Sequence, residues 1–338
     1  MRIYIVIGIC LLFAACKKQE IGPQYQSDPL FSGEKVLVLN EGNFGWGNAT
    51  ISAYSPDQYL LANGVFTGVN STSLGDVVQS GVRWNSDYLI VVNNSGKVIT
   101  LDTGTLEVSA EITGLTSPRY VLPIREGKAY VSDLYASSIS VISTENNSIS
   151  SVIPVDGWVE EMKIANGNVY GTRPHHSSLL RIDTSTNSVI DSISIGLAPT
   201  SLVIDQNEML WVLCAGSSTT AAKIVQFNPF TNMAVSTFNF VLGESPSQLE
   251  INGAGDELYY LNNGVYTLPI SASSLNSSAL ISGFGNTLYG LAVNPVTGEI
   301  YVTDAEDFIQ PGDVFRFTSS GSMIDSVKAG IIPQAIIF

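Results

Sequence analysis

The sequence predicts an all-β fold: a seven-bladed β-propeller whose ring closes by pairing the N-terminal and C-terminal strands in one shared blade. Three observations carry this expectation. First, a short apolar strand with a small residue at its end recurs seven times, at 36–40, 89–93, 128–132, 168–172, 210–214, 258–262 and 299–303. The ends are Asn40, Asn93, Ser132, Thr172, Cys214, Asn262 and Thr303, spaced by 53, 39, 40, 42, 48 and 41 residues. A period of roughly 40–50 residues built from short strands is a mark of propeller blades. Second, the two chain ends complement each other, as argued below. Third, 45% of residues are hydrophobic and only 13% charged, with 30 Gly and 14 Pro, which suits many short strands joined by polar turns.

The first fifteen residues read as a signal peptide. Met1-Arg2 is a short positive start, and Ile3 to Ala15 is an apolar run of 13 residues, too short to span a bilayer comfortably. The run ends Leu12-Phe13-Ala14-Ala15-Cys16, and small residues before a cysteine resemble the lipobox of bacterial lipoproteins. Cys16 is then the expected lipidation site and mature N-terminus, anchoring the chain to a membrane surface. Residues 16–32 are polar, with Pro23 and Pro29 and no apolar periodicity, and read as a flexible tether. The propeller domain is expected over 33–338.

With Cys10 in the signal segment and Cys16 lipidated, Cys214 is left alone in an apolar strand, where it reads as a buried small hydrophobe. The third repeat shows the plan of a blade. Residues 120–124 are a short apolar strand, Glu126-Gly127 a turn, 128–132 a second strand, and 138–143 and 150–155 alternate around Asn146-Asn147. Four short strands with tight turns make one twisted antiparallel sheet. The pattern returns over 202–228, 249–269 and 291–317. At the C-terminus, 334–338 supplies an innermost strand with no continuation, and 33–40 supplies a second strand with no predecessor. Pairing them closes the ring and removes the open edge.

In this architecture one face gathers the loops that lead into each innermost strand and the loops that follow each second strand. Pro118, Pro199, Pro246 and Pro333 mark the former set at equivalent places, fixing φ at the turn. The residues beside them differ in chemistry: Arg119 and Tyr120, Trp158 and Glu160, Thr200, Gln248, Tyr289 and Gln334. The latter set holds Phe44 and Trp46 among glycines and asparagines, Tyr135, the stretch Arg173-Pro-His175-His176, and the acidic stretch 304–313 with Asp307 and Phe308. Large aromatics on glycine-rich loops around a central hollow favour a large, partly apolar ligand. The candidate binding residues are therefore Phe44, Trp46, Arg119, Tyr120, Tyr135, Trp158, Arg173, His175, Tyr289, Asp307 and Phe308. For Phe44 and Trp46 the competing reading is a plug that fills the first blade's own loop. Trp84 and Trp211 lie inside strand patterns and read as core.

Other chemistry finds little support. The net charge of −15 with no basic stripe argues against nucleic acid. His175 and His176 are adjacent, with no third His to complete a zinc site. Asp304, Glu306, Asp307 and Asp313 match no dedicated calcium loop, and read as a solvated acidic rim. No nucleophile elbow, P-loop, paired-Cys motif or dinucleotide fingerprint occurs. A ring of Asn40, Asn93, Asn262 and Asp304 around a central metal is conceivable in a hydrolase or lyase. Small polar strand ends are also ordinary turn chemistry, the preferred reading here.

The lipobox, the sevenfold repeat and the opening Leu39-Asn-Glu-Gly-Asn-Phe44 resemble the YncE-like propeller lipoproteins of Bacteroidetes. Gly196-Leu-Ala-Pro199 and Ile182-Asp-Thr-Ser-Thr-Asn187 resemble the repeated elements of that group. Within it, the Asn-Glu-Gly-x-Phe opening is similar to the BtuG-type surface corrinoid-binding lipoproteins. That resemblance implies a non-enzymatic outer-membrane protein that captures cobalamin on the propeller face and passes it to an outer-membrane transporter complex. A corrin offers an apolar ring face to aromatics and an amide rim to Asn, Gln, Arg and Asp. The corrinoid enters as ligand, and no cofactor is implied. A glycan or protein partner, or a metal-dependent hydrolase or lyase on the same fold, are the alternatives. Lys17-Lys18-Gln19-Glu20 carries one acidic residue after Cys16, where surface-exported lipoproteins of this phylum carry several.

Overall fold

Alternation of apolar residues places one side of each strand against each neighbouring blade, and this builds the molecule. In the second strand of the first blade, Leu37 and Leu39 join a cluster with Tyr88, Ile90 and Val92 of the second blade. Val36 and Val38 point the other way, into a cluster with Tyr301 and Val314 of the seventh. The period-two geometry of a strand requires this division. Seven such clusters occur among the described residues, each straddling two adjacent blades.

The structure, a computed structural model, describes residues 34–285 and 287–338. The expected signal peptide, the expected lipidation site at Cys16 and the expected tether all lie outside the described residues. The described strands form seven antiparallel sheets. The first combines Pro333–Ile337, Val36–Asn40, Thr50–Ser55 and Leu60–Ala62. Leu37 pairs with Ile337 and Val38 with Ile336, so the expected closure between chain ends is present. Among the described residues the sixth blade has three strands, Ser247–Ile251, Glu257–Leu261 and Val265–Pro269.

One element was not expected. A short helix, Val65–Asn70, lies between the first and second blades and buries Val65 and Phe66 in their shared cluster. It accounts for the longest interval in the repeat, the 53 residues between Asn40 and Asn93. Trp211 is fully buried, as its strand pattern implies, whereas Trp84 is half-buried against the cluster between the second and third blades. Cys214 is buried between the fourth and fifth blades, and burial pushes its thiol up to about 12.

The small polar strand ends are structural. Asn40 donates from Nδ2 to Ser52 Oγ at 2.9 Å and Thr50 Oγ1 at 3.1 Å, while its Oδ1 accepts from the Gly330 amide at 3.0 Å. Ser132, Thr172 and Thr303 each accept, through the side-chain hydroxyl, an amide of their own blade's incoming segment: Tyr120, Glu161 and Gly290. Asp304 Oδ1 accepts the amides of Thr287 and Glu306, both at 2.8 Å. These groups hold the loop face together, which is the turn role that side chains of this type perform.

Candidate functional site

The funnel on the loop face is built by β-bulges. In six of the seven blades the register between innermost and second strand slips just after the loop, at Val78/Ser80, Pro118/Val121, Pro199/Ser201, Ser247/Glu250, Leu288/Leu291 and, in the first blade, opposite Leu39/Asn40. Each slip frees at least one polar or aromatic residue from pairing: Gln79, Arg119 and Tyr120, Thr200, Gln248, Tyr289 and Gln334, while Leu249, freed beside Gln248, turns into the core. Those polar and aromatic residues line the central cavity. A bulge bends the strand and re-aims a side chain, so the same local device supplies most of the funnel wall. The fourth blade contributes differently, through Glu160 and Glu161 just before its innermost strand, Met162–Ala165. Val77, Ala198, Gln248 and Ile332 sit in the left-handed region, with φ of 57°, 53°, 55° and 54°. For branched Val77 and Ile332 this is a strained conformation, held where the chain turns into the funnel.

The cavity has a volume of about 550 Å³, and a second of about 220 Å³ continues below it along the axis. Of the predicted residues, Phe44, Arg119, Tyr120, Tyr135 and Tyr289 line the funnel. Phe44 and Tyr135 are 74% and 77% exposed, and Trp46, two residues on in the same loop as Phe44, is 78% exposed. The plug reading of Phe44 and Trp46 is therefore wrong. Their loop is fixed by other contacts, the Gly45 amide donating to Asp76 Oδ2 at 2.8 Å and Asn43 Nδ2 to the Phe308 carbonyl at 2.9 Å. Polar groups do the packing, and the rings stay free.

Phe308 packs its ring edge-on against Tyr289, 5.4 Å between centroids, and so supports the wall without lining it. Trp158 plays a similar part, donating from Nε1 to Glu160 Oε2 at 2.5 Å. Trp46, Arg173, His175 and Asp307 also lie outside the cavity lining. Asp307 caps its own loop, accepting the amides of Ile309 at 3.0 Å and Gln310 at 2.9 Å, and the Gln310 amide bond heads the causes that hold its carboxyl below the usual range. Arg173 is buried at the blade-four rim beside exposed His175, which packs edge-on against Trp158 at 5.0 Å.

The sequence reading missed the acidity of the axis. Glu41 accepts from the Tyr289 hydroxyl at 3.2 Å, and burial pushes its carboxyl up to about 7. Glu161 accepts the Leu202 amide at 3.0 Å, and burial raises it to about 8 against the opposing pull of Lys163. Glu250, deeper in the channel, is raised to about 7 by burial. These groups share the axis with Glu160, Arg119 and Lys163. Desolvation disfavours the charged carboxylate, so the wall around neutral pH is a mixture of partly protonated acids, amides and one fixed ion pair. Glu41 follows Asn40 directly and could have been found as the first residue past a strand end.

Fold and site together define a propeller with a polar-floored, aromatic-rimmed funnel on its loop face. The chain belongs to the family described as Domain of unknown function (DUF5074), which it matches over residues 34–329. No curated protein matches it. Among solved structures it is similar to a quinonprotein alcohol dehydrogenase-like protein from Bacteroides thetaiotaomicron, with a TM-score of 0.72 and 13% identity, covering 89% of this chain and 77% of that one. It is similar also to the periplasmic gluconolactonase of Pseudomonas aeruginosa, with a TM-score of 0.69 and 12% identity over 89% and 98%. A third similar structure is dihydro-heme d1 dehydrogenase NirN in complex with DHE, with a TM-score of 0.63 and 8% identity over 93% and 76%. At these identities the likeness is one of fold.

Proposed function

We propose that this protein is a non-enzymatic binding protein that captures a large amphipathic small molecule, a corrinoid such as cobalamin, on the loop face. Anchored by lipid at Cys16 to the outer membrane, it delivers that ligand to an outer-membrane transporter complex. The observation that carries the reading is the trio of Phe44, Trp46 and Tyr135, each about three-quarters exposed on loops at the funnel. Exposed aromatics grouped on one rim are costly to keep in water unless something covers them. Below them the wall changes to Gln79, Gln248, Gln334 and Arg119, suited to hydrogen-bonding an amide-bearing edge. A flat macrocycle with an apolar face and a polar rim matches this order of surfaces. NirN, a propeller of similar fold, is itself found in complex with DHE, in keeping with this choice of ligand.

Calorimetric titration of the purified protein with cyanocobalamin tests the reading. Saturable heat with one site per chain is expected at micromolar protein, and an absence of heat overturns the corrinoid assignment.

A further inference from the structure

We propose that Arg173, at the end of the second strand of the fourth blade, forms the floor of an oxyanion subsite separate from the funnel. The group it takes is a phosphate or carboxylate. The inference rests on the burial of Arg173 and not on what fills the funnel; a ligand reaching both would lay its acidic group here.

Arg173 is 6% exposed. Its Nη2 donates to the Asp156 carbonyl, while its buried Nε has no hydrogen-bond partner among the described residues. Among the described residues no carboxylate lies within ion-pair distance of it, and Asp156 attracts it only from farther off. Three other arginines, all at least partly buried, each grip one: Arg119 with Glu160 at 2.6 Å, Arg181 with Asp191 at 2.8 Å and Arg316 with Glu299 at 2.8 Å, while Arg83 and Arg125 are exposed to water. A guanidinium stays ionised under all ordinary conditions. Burying that charge without a counter-ion is unfavourable, so an unpaired buried arginine is a position waiting for an anion. Burial lowers its proton affinity, and the Asp156 carboxylate offsets this only in part.

The surroundings fit a small oxyanion. His175 and His176 follow on the same turn, both exposed and both carrying ring donors. Trp158 fixes one side, its ring edge-on to His175 and its Nε1 bonded to Glu160, and so stands between the subsite and the funnel. The nearby acid is Asp156, whose carboxylate leans on His176 Nε2 at 3.4 Å and is 93% exposed. It is free to swing into water when an incoming anion takes its place. Guanidinium N–H groups with adjacent imidazoles are the donor set that phosphate and carboxylate oxygens use.

The test compares melting temperatures of the full-length protein in inorganic phosphate, in acetate and in chloride at equal ionic strength and fixed pH. A saturable rise with either oxyanion over chloride is expected, and the larger response identifies the preferred group. No rise with either overturns the proposal. In Arg173→Met the unpaired buried charge is replaced by an apolar chain. We expect its stability in chloride to equal or exceed wild type, with apparent phosphate affinity lowered on the order of tenfold or more. An undiminished phosphate response in that variant overturns the subsite. Should it fail to fold, the exposed pair His175→Ala/His176→Ala serves instead, and an unchanged response there overturns it equally. A phosphate response that survives alongside an absence of heat with cyanocobalamin would remove the corrinoid reading and leave this one standing.

Discussion

Arg119 clasps Glu160 with one edge of its guanidinium, Nε lying 3.1 and 2.9 Å from the two carboxylate oxygens and Nη2 2.6 Å from Oε1. Its remaining nitrogen, Nη1, reaches Gln79 Oε1, and Trp158 approaches Glu160 from the other side. One cluster thus ties the second, third and fourth blades together across the funnel wall. Breaking it on one side leaves a mostly buried carboxylate short of partners. Arg119→Ala is expected to lower stability by about 2–4 kcal/mol in urea unfolding. The double variant Arg119→Met/Glu160→Met removes both charges and is expected to lose less than the single variant. An additive cycle would show that the pair is not coupled.

The rim aromatics lead to the opposite expectation. Phe44 and Trp46 project into solvent from a loop secured by Asn43, Gly45 and Asp76. Phe44→Ala/Trp46→Ala is expected to shift the melting temperature little, since surface truncations change stability by roughly 0.5 kcal/mol or less. Cyanocobalamin affinity is expected to fall on the order of a hundredfold, as when stacked aromatic anchors are removed from an interface. A variant that binds as well as wild type removes these rings from the site, and one that unfolds shows that their loop depends on them.

Much of this architecture was legible in the chain. Strand ends such as Asn40 and Thr303, the recurring Pro118, Pro199, Pro246 and Pro333, and the complementary termini gave blade number and closure, because each is a local signal repeated at a fixed period. What escaped depends on two strands at once. The bulges that turn Gln79, Thr200 and Gln248 inward are slips of register against a partner, and Pro118-Arg119-Tyr120 reads locally as ordinary strand. The same limit hid the burial of Arg173 and the split of the candidate residues between funnel and rim. Nothing near Arg173 in the chain announces that the 155–161 loop covers it. The helix Val65–Asn70 contains Gly68 and β-branched residues, too short and too weak in propensity to be seen.

The axial carboxyls make stability depend on pH in a defined direction. Glu161 in the folded protein holds its proton up to about 8, whereas the unfolded chain releases it near 4.5. Between those values the folded state binds the extra proton, so stability is greatest below the unfolded value and falls as pH rises through the window. Glu41 and Glu250, both raised to about 7, act in the same sense. Glu161→Gln keeps an oxygen for the Leu202 amide and cannot ionise. It is expected to match wild type at about pH 5 and to exceed it by about 1–2 kcal/mol above pH 8, the channel's water and Lys163 limiting the gain. Identical pH profiles for the two proteins would show that Glu161 ionises freely in the fold.

Ring closure rests on a few side chains at the extreme C-terminus. Ile337 pairs with Leu37 and is buried in the cluster between the first and second blades. Phe338 packs edge-on against Tyr301, 5.3 Å between centroids, beside the cluster that joins the seventh blade to the first. Truncating Ile337 leaves a cavity at the joint where a propeller has no other covalent or sheet connection between its ends. Ile337→Ala is expected to cost about 2–4 kcal/mol, against roughly 0.5 kcal/mol or less for Ile190→Ala on the exposed outer strand of the fourth blade. Deleting residues 333–338 leaves Val36–Asn40 as an open edge and is expected to abolish the cooperative transition, with rapid proteolysis of the product. Equal small losses for the two isoleucine variants would mean that the ring holds without its seam.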